Sequence, residues 1–215
     1  DLFISSGIVK RPVDLDFIKF SSKQKMKGMD ETDKFDDETI AAMPDGSSHP
    51  FFFKGSGDIN FKEVSKEWGT GKMKGYYNGA SYADLNNDGN LDMVISCIDA
   101  PAVILKNNSP SKNYISISFI GDSINTSGVG CKAYLFTGKK MQYQQMMPAR
   151  GFMSSSTTAL HFGIDSLLNI DSILLVWPNQ QYQLIKNPAI NKKLIAHKKD
   201  AQLGFVYNNF FAPKK

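Results

Sequence analysis

Residues 84–92 carry the side chains best suited to chemistry, in the order Asp-Leu-Asn-Asn-Asp-Gly-Asn-Leu-Asp. Oxygen-bearing side chains are spaced along this stretch at Asp84, Asn86, Asp88 and Asp92. A hard cation such as Ca²⁺ takes about six to eight oxygen ligands at about 2.3–2.6 Å. A tight turn with oxygens at alternate positions supplies most of these ligands from one short peptide, and the backbone carbonyl of Asn90 can complete the ring. The sequence therefore predicts a calcium-binding loop.

The loop begins like an EF-hand but ends differently. Gly89 follows Asp88 and permits the positive φ that such a turn requires. The twelfth position, where an EF-hand carries a bidentate Glu, holds Ile95 inside the apolar run 91–98. We therefore expect the loop to lead into a buried strand. An Asx-rich hairpin turn without a metal uses the same residue types and stays the alternative.

Composition and charge narrow the classes of protein to which the chain can belong. Its 215 residues are 41% hydrophobic and 12% aromatic, which fits one good core or two modest domains. The 25 basic and 21 acidic residues give a net charge of +4. Lysines concentrate near the C-terminus without interleaved stacking aromatics, so we expect a solvated surface and tail there and no nucleic-acid partner. No apolar run approaches the ~20 residues of a membrane span, so we expect none.

The start of the chain resembles the end of the loop. Asp1-Leu2-Phe3-Ile4-Ser5 repeats the pattern of Asp92-Met93-Val94-Ile95-Ser96, an acidic residue before a buried strand. The repeat suggests that Asp1 is the last ligand of an earlier loop and that residues 1–7 form an orphan strand. Because no signal peptide or initiator Met is present, we expect this chain to be part of a longer one.

Residues 13–46 differ from the rest of the chain in their sequence pattern. Residues 36–43 read as a short helix that is acidic at its start and stopped by Pro44. The acidic run 30–38 could be a cation site, but a helix N-terminus stabilised by acidic side chains is the commoner arrangement. Asp14 and Asp16 alternate with apolar neighbours, which predicts the solvated face of an amphipathic strand.

From Pro50 onward the pattern predicts strands. The second half alternates between apolar and polar residues, with glycines between the segments 114–120, 132–136, 141–147, 158–162, 170–177 and 182–185. No long amphipathic helix interrupts them, so we expect an antiparallel β-sandwich-like domain. The break at 107–110 predicts a domain boundary. Cys97 and Cys131 are most simply two buried thiols, although a disulfide stays open.

Several short motifs, taken in order, resemble a known pairing of domains. Residues 51–106 contain Phe-Phe-Lys-Gly-Ser-Gly-Asp-Ile-Asn-Phe, then Asn-Gly-Ala at 78–80, then the calcium loop and its strand. Residues 113–196 contain Gly-Val-Gly-Cys-Lys at 128–132, Arg-Gly-Phe-Met-Ser-Ser at 150–155, Leu-His-Phe-Gly at 160–163 and Val-Trp-Pro-Asn at 176–179. The first part resembles FG-GAP (VCBS, integrin-α-like) repeats, and the second resembles the ASPIC and UnbV domain, as in cartilage acidic proteins. Cys131 and Asn179-Gln180 depart from the usual residues of that domain.

The resemblance implies a mainly β protein in which propeller-type blade units precede a β-domain. The short helix at 36–43 adds a helical insert near the N-terminus, in a segment outside the resemblance. The resemblance divides the chain into a partial repeat region at 1–110 with the atypical segment 13–46, an ASPIC and UnbV-like domain at 111–200, and a tail at 201–215. It assigns the Ca²⁺ ligands to Asp84, Asn86, Asp88, Asn90 and Asp92. The low ligand charge suits the millimolar Ca²⁺ outside cells. Proteins of this kind are secreted or at the cell surface, which in a bacterium means the periplasmic or outer-membrane side.

Other side chains offer alternatives for binding or catalysis. Arg150 and Phe152 flank a glycine and could form a binding edge or tie down a crossover between strands. Trp177 could stack on a sugar or close a core. A polysaccharide hydrolase built on His161 or on the Asp14/Asp16 pair is the competing class, and a purely structural spacer is a third. No serine stands in a Gly-x-Ser-x-Gly nucleophile elbow.

Together these observations predict a non-catalytic, calcium-stabilised extracellular recognition or adhesion module. Its expected partners are a protein or glycan ligand at the cell surface and the upstream propeller blades of the same full-length chain. The expectation of a glycan ligand comes from analogy with surface proteins and not from the residues of the site.

Overall fold

The computed structural model describes residues 1–25 and 37–211. Contacts along the chain divide the described residues into two units. The first comprises Asp1–Ala80 and Val94–Ile104, and the second comprises Ser81–Met93 and the described residues from Leu105 onward. The loop at 84–92 therefore groups with the C-terminal residues, and the boundary expected at 107–110 stays a prediction.

The protein is mainly β, as predicted, and no propeller is identified among the described residues. Two short helices lie near the N-terminus, α1 at Leu15–Lys25 and α2 at Asp37–Ala42. The strands are β1 Leu2–Ile4, β2 Phe51–Gly55, β3 Phe61–Glu63, β4 Tyr77–Ala83, β5 Asp92–Cys97, β6 Val103–Leu105, β7 Asn113–Ile120, β8 Lys132–Thr137, β9 Lys140–Gln145, β10 Ala159–Asp165, β11 Ser172–Val176, β12 Tyr182–Lys186 and β13 Lys192–His197. A 3₁₀ turn at Lys198–Asp200 and a last helix, α3 at Tyr207–Phe210, follow.

Helix α1 replaces the strand that alternation predicts around Asp14 and Asp16. One carboxylate oxygen of Asp14 accepts the backbone N–H groups of Asp16 at 3.0 Å and Phe17 at 3.4 Å. These are the bonds of a helix N-cap, which satisfy donors that have no partner inside the helix. The expectation of a strand face here was wrong, because capping by Asp14 sets the local structure. Helix α2 confirms the short helix predicted at 36–43, whereas most of the acidic run 30–38 lies outside the described residues.

In the first unit, β1, β2 and β3 form an antiparallel sheet in that order. Leu2 lies opposite Phe53, and Ile4 lies opposite Phe51. Residues 2–4 therefore pair with a partner strand and are not an orphan strand. The carboxylate of Asp1 accepts the backbone N–H of Gly55 at 3.0 Å, so this side chain has a structural partner.

A separate sheet of β4, β5 and β6, hydrogen-bonded in that order, contains the calcium loop as the connection from β4 to β5. Ile95 in β5 has no solvent exposure, and Asp92 at the start of the strand is 3% exposed. The predicted buried strand after the loop is thereby confirmed. Cys97, at the end of β5, and Cys131 are free thiols.

The C-terminal β-domain consists of a three-stranded sheet in the order β10-β7-β13 and a four-stranded sheet in the order β12-β11-β8-β9. All six strands predicted for this half are present. Side chains from both sheets meet in one core, whose members include Ile115, Ile117, Phe119, Ala133, Leu135, Leu160, Phe162, Ile173, Leu175 and Trp177. The arrangement is therefore sandwich-like, with apolar side chains alternating inward along β7 and β10.

Two elements near the C-terminus were missed in the sequence. Strand β13 pairs in parallel with β7, with Leu194 opposite Ile117, although its lysines suggested only a solvated surface. The residues after 200 also pack against the domain, because Phe205 is 4% exposed and contacts the outer face of the four-stranded sheet. That contact explains why Leu174 is buried even though its neighbours in sequence fill the opposite face.

Candidate calcium-binding loop

The loop turns sharply through two residues with left-handed backbone. Asn87 has φ of 59° and Gly89 has φ of 88°. The carboxylate of Asp84 spans this bend, because its oxygens accept the backbone N–H groups of Asp88 at 3.1 Å and Gly89 at 2.9 Å. Hydrogen bonds within the loop therefore bring the first two predicted acidic ligands, Asp84 and Asp88, to the same turn.

The carboxylate of Asp88 accepts a second set of hydrogen bonds. It accepts the backbone N–H of Asn90 at 2.9 Å and the side-chain amide of Asn86 at 2.8 Å. The bond from Asn90, followed by that from Asn86, holds the pKa of the Asp88 carboxyl below its ordinary value. Asp88 is thus favoured in the ionised form, which is the form that binds a cation.

Asp92 is the buried acidic residue of the loop, with 3% of its surface exposed. Its two carboxylate oxygens accept the backbone N–H of Leu85 at 3.1 Å and that of Asn107 at 2.8 Å. Asp92 therefore ties the start of the loop to the chain segment that follows β6. A buried carboxylate is costly unless it is hydrogen-bonded or paired with a cation.

The donor set of the loop suits a hard cation. Every predicted ligand atom is an oxygen, from Asp84, Asn86, Asp88 and Asp92 and from the backbone of Asn90. An ionised carboxylate has about four lone-pair sites, and the bonds described above use two on each acidic residue. Within residues 1–25 and 37–211, however, no three His, Cys, Asp or Glu side chains are grouped so as to hold a metal ion. The same hydrogen bonds also suit a metal-free Asx turn, the alternative interpretation.

An aromatic pair from the β-domain lies against the bend. A Cβ added to Gly89 would lie 2.6 Å from Cδ1 of the Tyr114 ring, so a larger residue here would force the ring to move and would also be strained at this φ. The Tyr114 ring stacks on His161, with centroids 5.1 Å apart and planes 16° apart. Burial lowers the pKa of His161, and the carboxylate of Asp84 opposes that shift.

Arg150 and Phe152 lie on an exposed loop away from the core of the β-domain. The guanidinium of Arg150 donates a 3.1 Å hydrogen bond to the carbonyl oxygen of Gln145, so it does tie down a neighbouring carbonyl. Phe152 is 76% exposed, and Met153 beside it is 85% exposed with φ of 48°. The loop therefore presents two large apolar side chains to solvent.

Trp177 is a core residue. It is 2% exposed and packs edge-on against Phe119, with ring centroids 5.5 Å apart. A ring in this position offers no face to a sugar or other ligand, so we remove Trp177 from the candidate binding residues. Its core role is the alternative that the sequence left open.

The residues of the hydrolase alternative have structural partners. Asp14 caps helix α1, and Asp16 is exposed with Lys19 3.7 Å away. His161 stacks on Tyr114, and its backbone carbonyl accepts a hydrogen bond from Gln144. These contacts account for the positions of the three side chains without a substrate.

Tyr114 and Asn191 were not among the predicted site residues. Asn191 has φ of 56°. Its side-chain oxygen accepts the backbone N–H of Tyr114 at 3.0 Å, while its own N–H donates to the Tyr114 carbonyl at 2.7 Å. An isolated aromatic residue at the start of a strand carries no signal for such a role, because the contact with Gly89 depends on the fold.

No helix in the described part of the chain combines the length and apolar character of a membrane span. No curated protein matches the chain. Residues 121–203 match the family model described as ASPIC and UnbV, whereas the FG-GAP resemblance of residues 51–106 stays a prediction. The match covers strands β8 to β13 of the sandwich-like fold. The family match therefore supports the ASPIC and UnbV resemblance for residues 121–203 of the C-terminal β-domain.

Proposed function

We propose that this protein is a non-catalytic, calcium-stabilised recognition or adhesion module of a larger extracellular protein. The observation that carries the proposal is the loop at 84–92, which has three acidic residues within nine positions and in which the Asp84 carboxylate spans a tight bend. A bound Ca²⁺ would offset the negative charge of these residues and fix the bend. Its chemistry here is structural, since the ion holds oxygen ligands in place.

The ligands that would hold the ion are Asp84, Asn86, Asp88 and Asp92, with the backbone carbonyl of Asn90. Asp92 supports this assignment most strongly, because it is 3% exposed and accepts only backbone N–H groups in the bonds described above. A cation would offset the cost of burying its charge. With two amides in the set, the site fits the millimolar Ca²⁺ outside cells, which supports a secreted or cell-surface location.

The exposed loop with Arg150 and Phe152 is the candidate contact with a ligand. Phe152 is an apolar ring that is 76% exposed, and aromatic side chains and arginine are enriched at protein interfaces. A cell-surface protein or glycan is the expected ligand. The upstream propeller-type blades implied by the resemblance of residues 51–106 are the expected partner within the full-length chain.

Thermal melting of the full chain in millimolar Ca²⁺ and in chelator tests the calcium part. We expect Ca²⁺ to raise the melting temperature and Asp88→Ala to abolish that rise. Asp58→Ala is a matched control, because Asp58 accepts the backbone N–H and side-chain amide of Asn60 in an analogous turn. The control should melt lower than wild type but keep its calcium response. Identical melting of the wild type in both buffers would contradict the proposal.

A glycan and protein array in the presence of Ca²⁺ tests the recognition part. The proposal predicts specific hits that Phe152→Ser weakens without changing the melting temperature. Repeated absence of hits would favour the spacer alternative. Release of reducing sugar from a polysaccharide, lost in His161→Ala, would favour the hydrolase.

A further inference from the structure

The outer face of the sheet β12-β11-β8-β9, which is turned away from the core of the sandwich, is apolar. Leu174 of β11 lies opposite Tyr134 of β8 on one side and Leu184 of β12 on the other. Tyr134 in turn lies opposite Tyr143 of β9, so one apolar row crosses all four strands. The outer face of an antiparallel sheet is ordinarily polar because water covers it. An apolar outer face therefore indicates that protein covers it.

Residues 203–211, which we call the C-terminal strap, lie across this face. The Phe205 ring of the strap packs against Tyr182 of β12, with centroids 5.8 Å apart. Six residues later, the Phe211 ring packs against Tyr134 of β8, with centroids 4.6 Å apart. The strap therefore crosses the sheet from an edge strand to an inner strand, and its aromatic rings make the contacts.

The strap covers the middle of the apolar row and leaves both ends open. Leu174 has no solvent exposure, whereas Leu184 and Tyr143, at the two ends of the row, are 44% and 46% exposed. The residues buried under the strap form a cluster separate from the core between the two sheets. The apolar surface is therefore wider than the segment that covers it, and uncovering it does not require opening the core.

Lys132 of β8 adds a polar contact to this face. Its ammonium group donates a 2.6 Å hydrogen bond to the hydroxyl of Tyr207 in the strap. Lys132 belongs to the outer face, since it lies opposite Val176, two residues after Leu174 on β11. The face thus binds a phenol at one position and apolar rings on either side of it.

The backbone of the strap contributes little to its attachment. Gln202, just before the strap, exchanges two backbone hydrogen bonds with Tyr182, at 2.9 and 2.8 Å. Within the strap, among the described residues, one backbone hydrogen bond reaches the rest of the domain, from the N–H of Phe205 to the carbonyl of Gln180 at 3.1 Å. Gly204 between these points has φ of 84°. Segments with few backbone bonds open at a small fraction of the global free energy of unfolding.

We propose that this outer face is a docking site for an aromatic segment of a partner protein, and that the strap occupies the site as an intramolecular ligand. The partner segment has the chemistry of the strap, which is Phe-x-Tyr-x-x-Phe-Phe at 205–211. Its tyrosine replaces Tyr207 at Lys132, and its apolar rings replace those over Leu174. The docking site shares no residue with the calcium loop, so it is independent of the proposed calcium binding.

A variant with an emptied site tests the proposal. The full chain carrying Phe205→Ser and Phe211→Ser loses the rings of the strap, and a synthetic peptide of residues 203–215 is the probe. Fluorescence of the buried Trp177, with Trp68→Phe included, shows that the β-domain is folded. Calorimetric titration in chelator should show equimolar binding. Binding to the chain with an intact strap should be about tenfold weaker, because a tethered segment competes at roughly 1 mM.

The intact strap provides a second route if the emptied variant does not fold. Peptide at millimolar concentration should still displace the strap of the wild-type chain. Hydrogen exchange should then become faster at the backbone N–H groups of residues 205–211, while those of β8 and β11 stay protected. Unchanged exchange at saturating peptide would overturn the proposal.

A double-mutant cycle identifies the contact with Lys132. Tyr207→Phe in the peptide removes the hydroxyl group and should weaken binding about fivefold. In the emptied chain carrying Lys132→Met, the two peptides should bind equally. Lys140→Met is the matched control, because Lys140 is exposed and lies at the far end of the β8–β9 hairpin from Lys132. The control should preserve the fivefold difference.

Each outcome decides for or against the docking site. Binding that depends on both Lys132 and Tyr207 supports it. Binding no tighter than that of a peptide carrying Phe205→Ser and Phe211→Ser would overturn it, as would a fivefold difference that survives Lys132→Met. Sedimentation identifies the source of the segment: a monomeric wild type supports a separate partner. A dimer lost in the emptied variant would assign the site to the strap of a second copy and overturn the separate partner.

Discussion

The side-chain amide of Gln144 donates a 2.5 Å hydrogen bond to the carbonyl oxygen of His161, and so joins the edge strands of two different sheets. Gln142 does the same to the carbonyl of Gly163 at 2.9 Å. At the opposite edge of the domain, Gln183 of β12 donates to the carbonyl of His197 of β13 at 2.7 Å. Glutamine side chains therefore donate hydrogen bonds to backbone carbonyl groups at both edges of the sandwich. Without these bonds, the carbonyl groups could pair with another strand.

Replacing Gln144 with Met should destabilise the β-domain by about 1 kcal/mol, because the chain length is kept while the hydrogen bond to a half-buried carbonyl is lost. Urea unfolding, followed by the fluorescence of Trp177 in a Trp68→Phe background, measures the change. Lys140→Met on the same strand is the control, since this exposed side chain should change stability by less than about 0.5 kcal/mol. Equal midpoints for the two variants would show that the glutamine does not stabilise the edge.

Much of the fold could be predicted because the alternation of apolar and polar residues and the turn-forming glycines determine strands and turns from neighbouring residues alone. The six strands from β7 to β12 follow period-2 patterns with glycines between them. Strand β13 could not be predicted in this way, because it pairs in parallel with β7 and its lysines hide the inward positions of Leu194 and Ala196. Helix α1 was missed for the opposite reason, since the cap by Asp14 outweighs a strand-like alternation over five residues.

Substitution of Trp177 should change the free energy of unfolding much more than substitution of Phe152. Trp177→Phe should lower the free energy of unfolding by about 2 kcal/mol, because it leaves a cavity in the core. Part of this cost is offset, since the indole N–H has no hydrogen-bond partner among the described residues and its desolvation penalty is removed. Phe152→Ser should change stability by less than about 0.5 kcal/mol. Denaturant unfolding followed by circular dichroism measures both; a Phe152 effect as large as that of Trp177 would contradict the assignments.

The ligand set of the candidate site stays a prediction, whereas the hydrogen bonds within the loop are explained by local sequence. Asp84 accepts backbone N–H groups four and five residues further on, and Asp88 accepts that of Asn90. The contact of Gly89 with Tyr114 joins residues far apart in sequence, and only the fold brings them together.

Cys131 should behave as an inert thiol. It has no solvent exposure, and burial raises the pKa of its thiol from 9.0 to about 12. Alkylation of the native protein at pH 8 should therefore leave Cys131 unmodified by mass spectrometry, whereas alkylation in denaturant should modify it. Rapid alkylation of Cys131 in the native protein would contradict its burial.

The same shift predicts a dependence of stability on pH. Between about pH 9 and pH 12 the unfolded chain loses the thiol proton while the folded chain keeps it, so the free energy of unfolding falls as the pH rises. Cys131→Ala should remove this contribution. Denaturant midpoints across that range, compared between wild type and variant, measure it; parallel curves would contradict the prediction.

Direct calorimetric titration of the full chain with Ca²⁺ tests the central claim, that the oxygens of residues 84–92 bind one ion. We predict binding of one Ca²⁺ per chain with a dissociation constant of roughly 10⁻⁴–10⁻³ M, lost in Asp88→Ala and retained in Asp58→Ala. A wild-type chain that takes up no Ca²⁺ in this range, or an Asp88→Ala chain that binds as the wild type does, would contradict it.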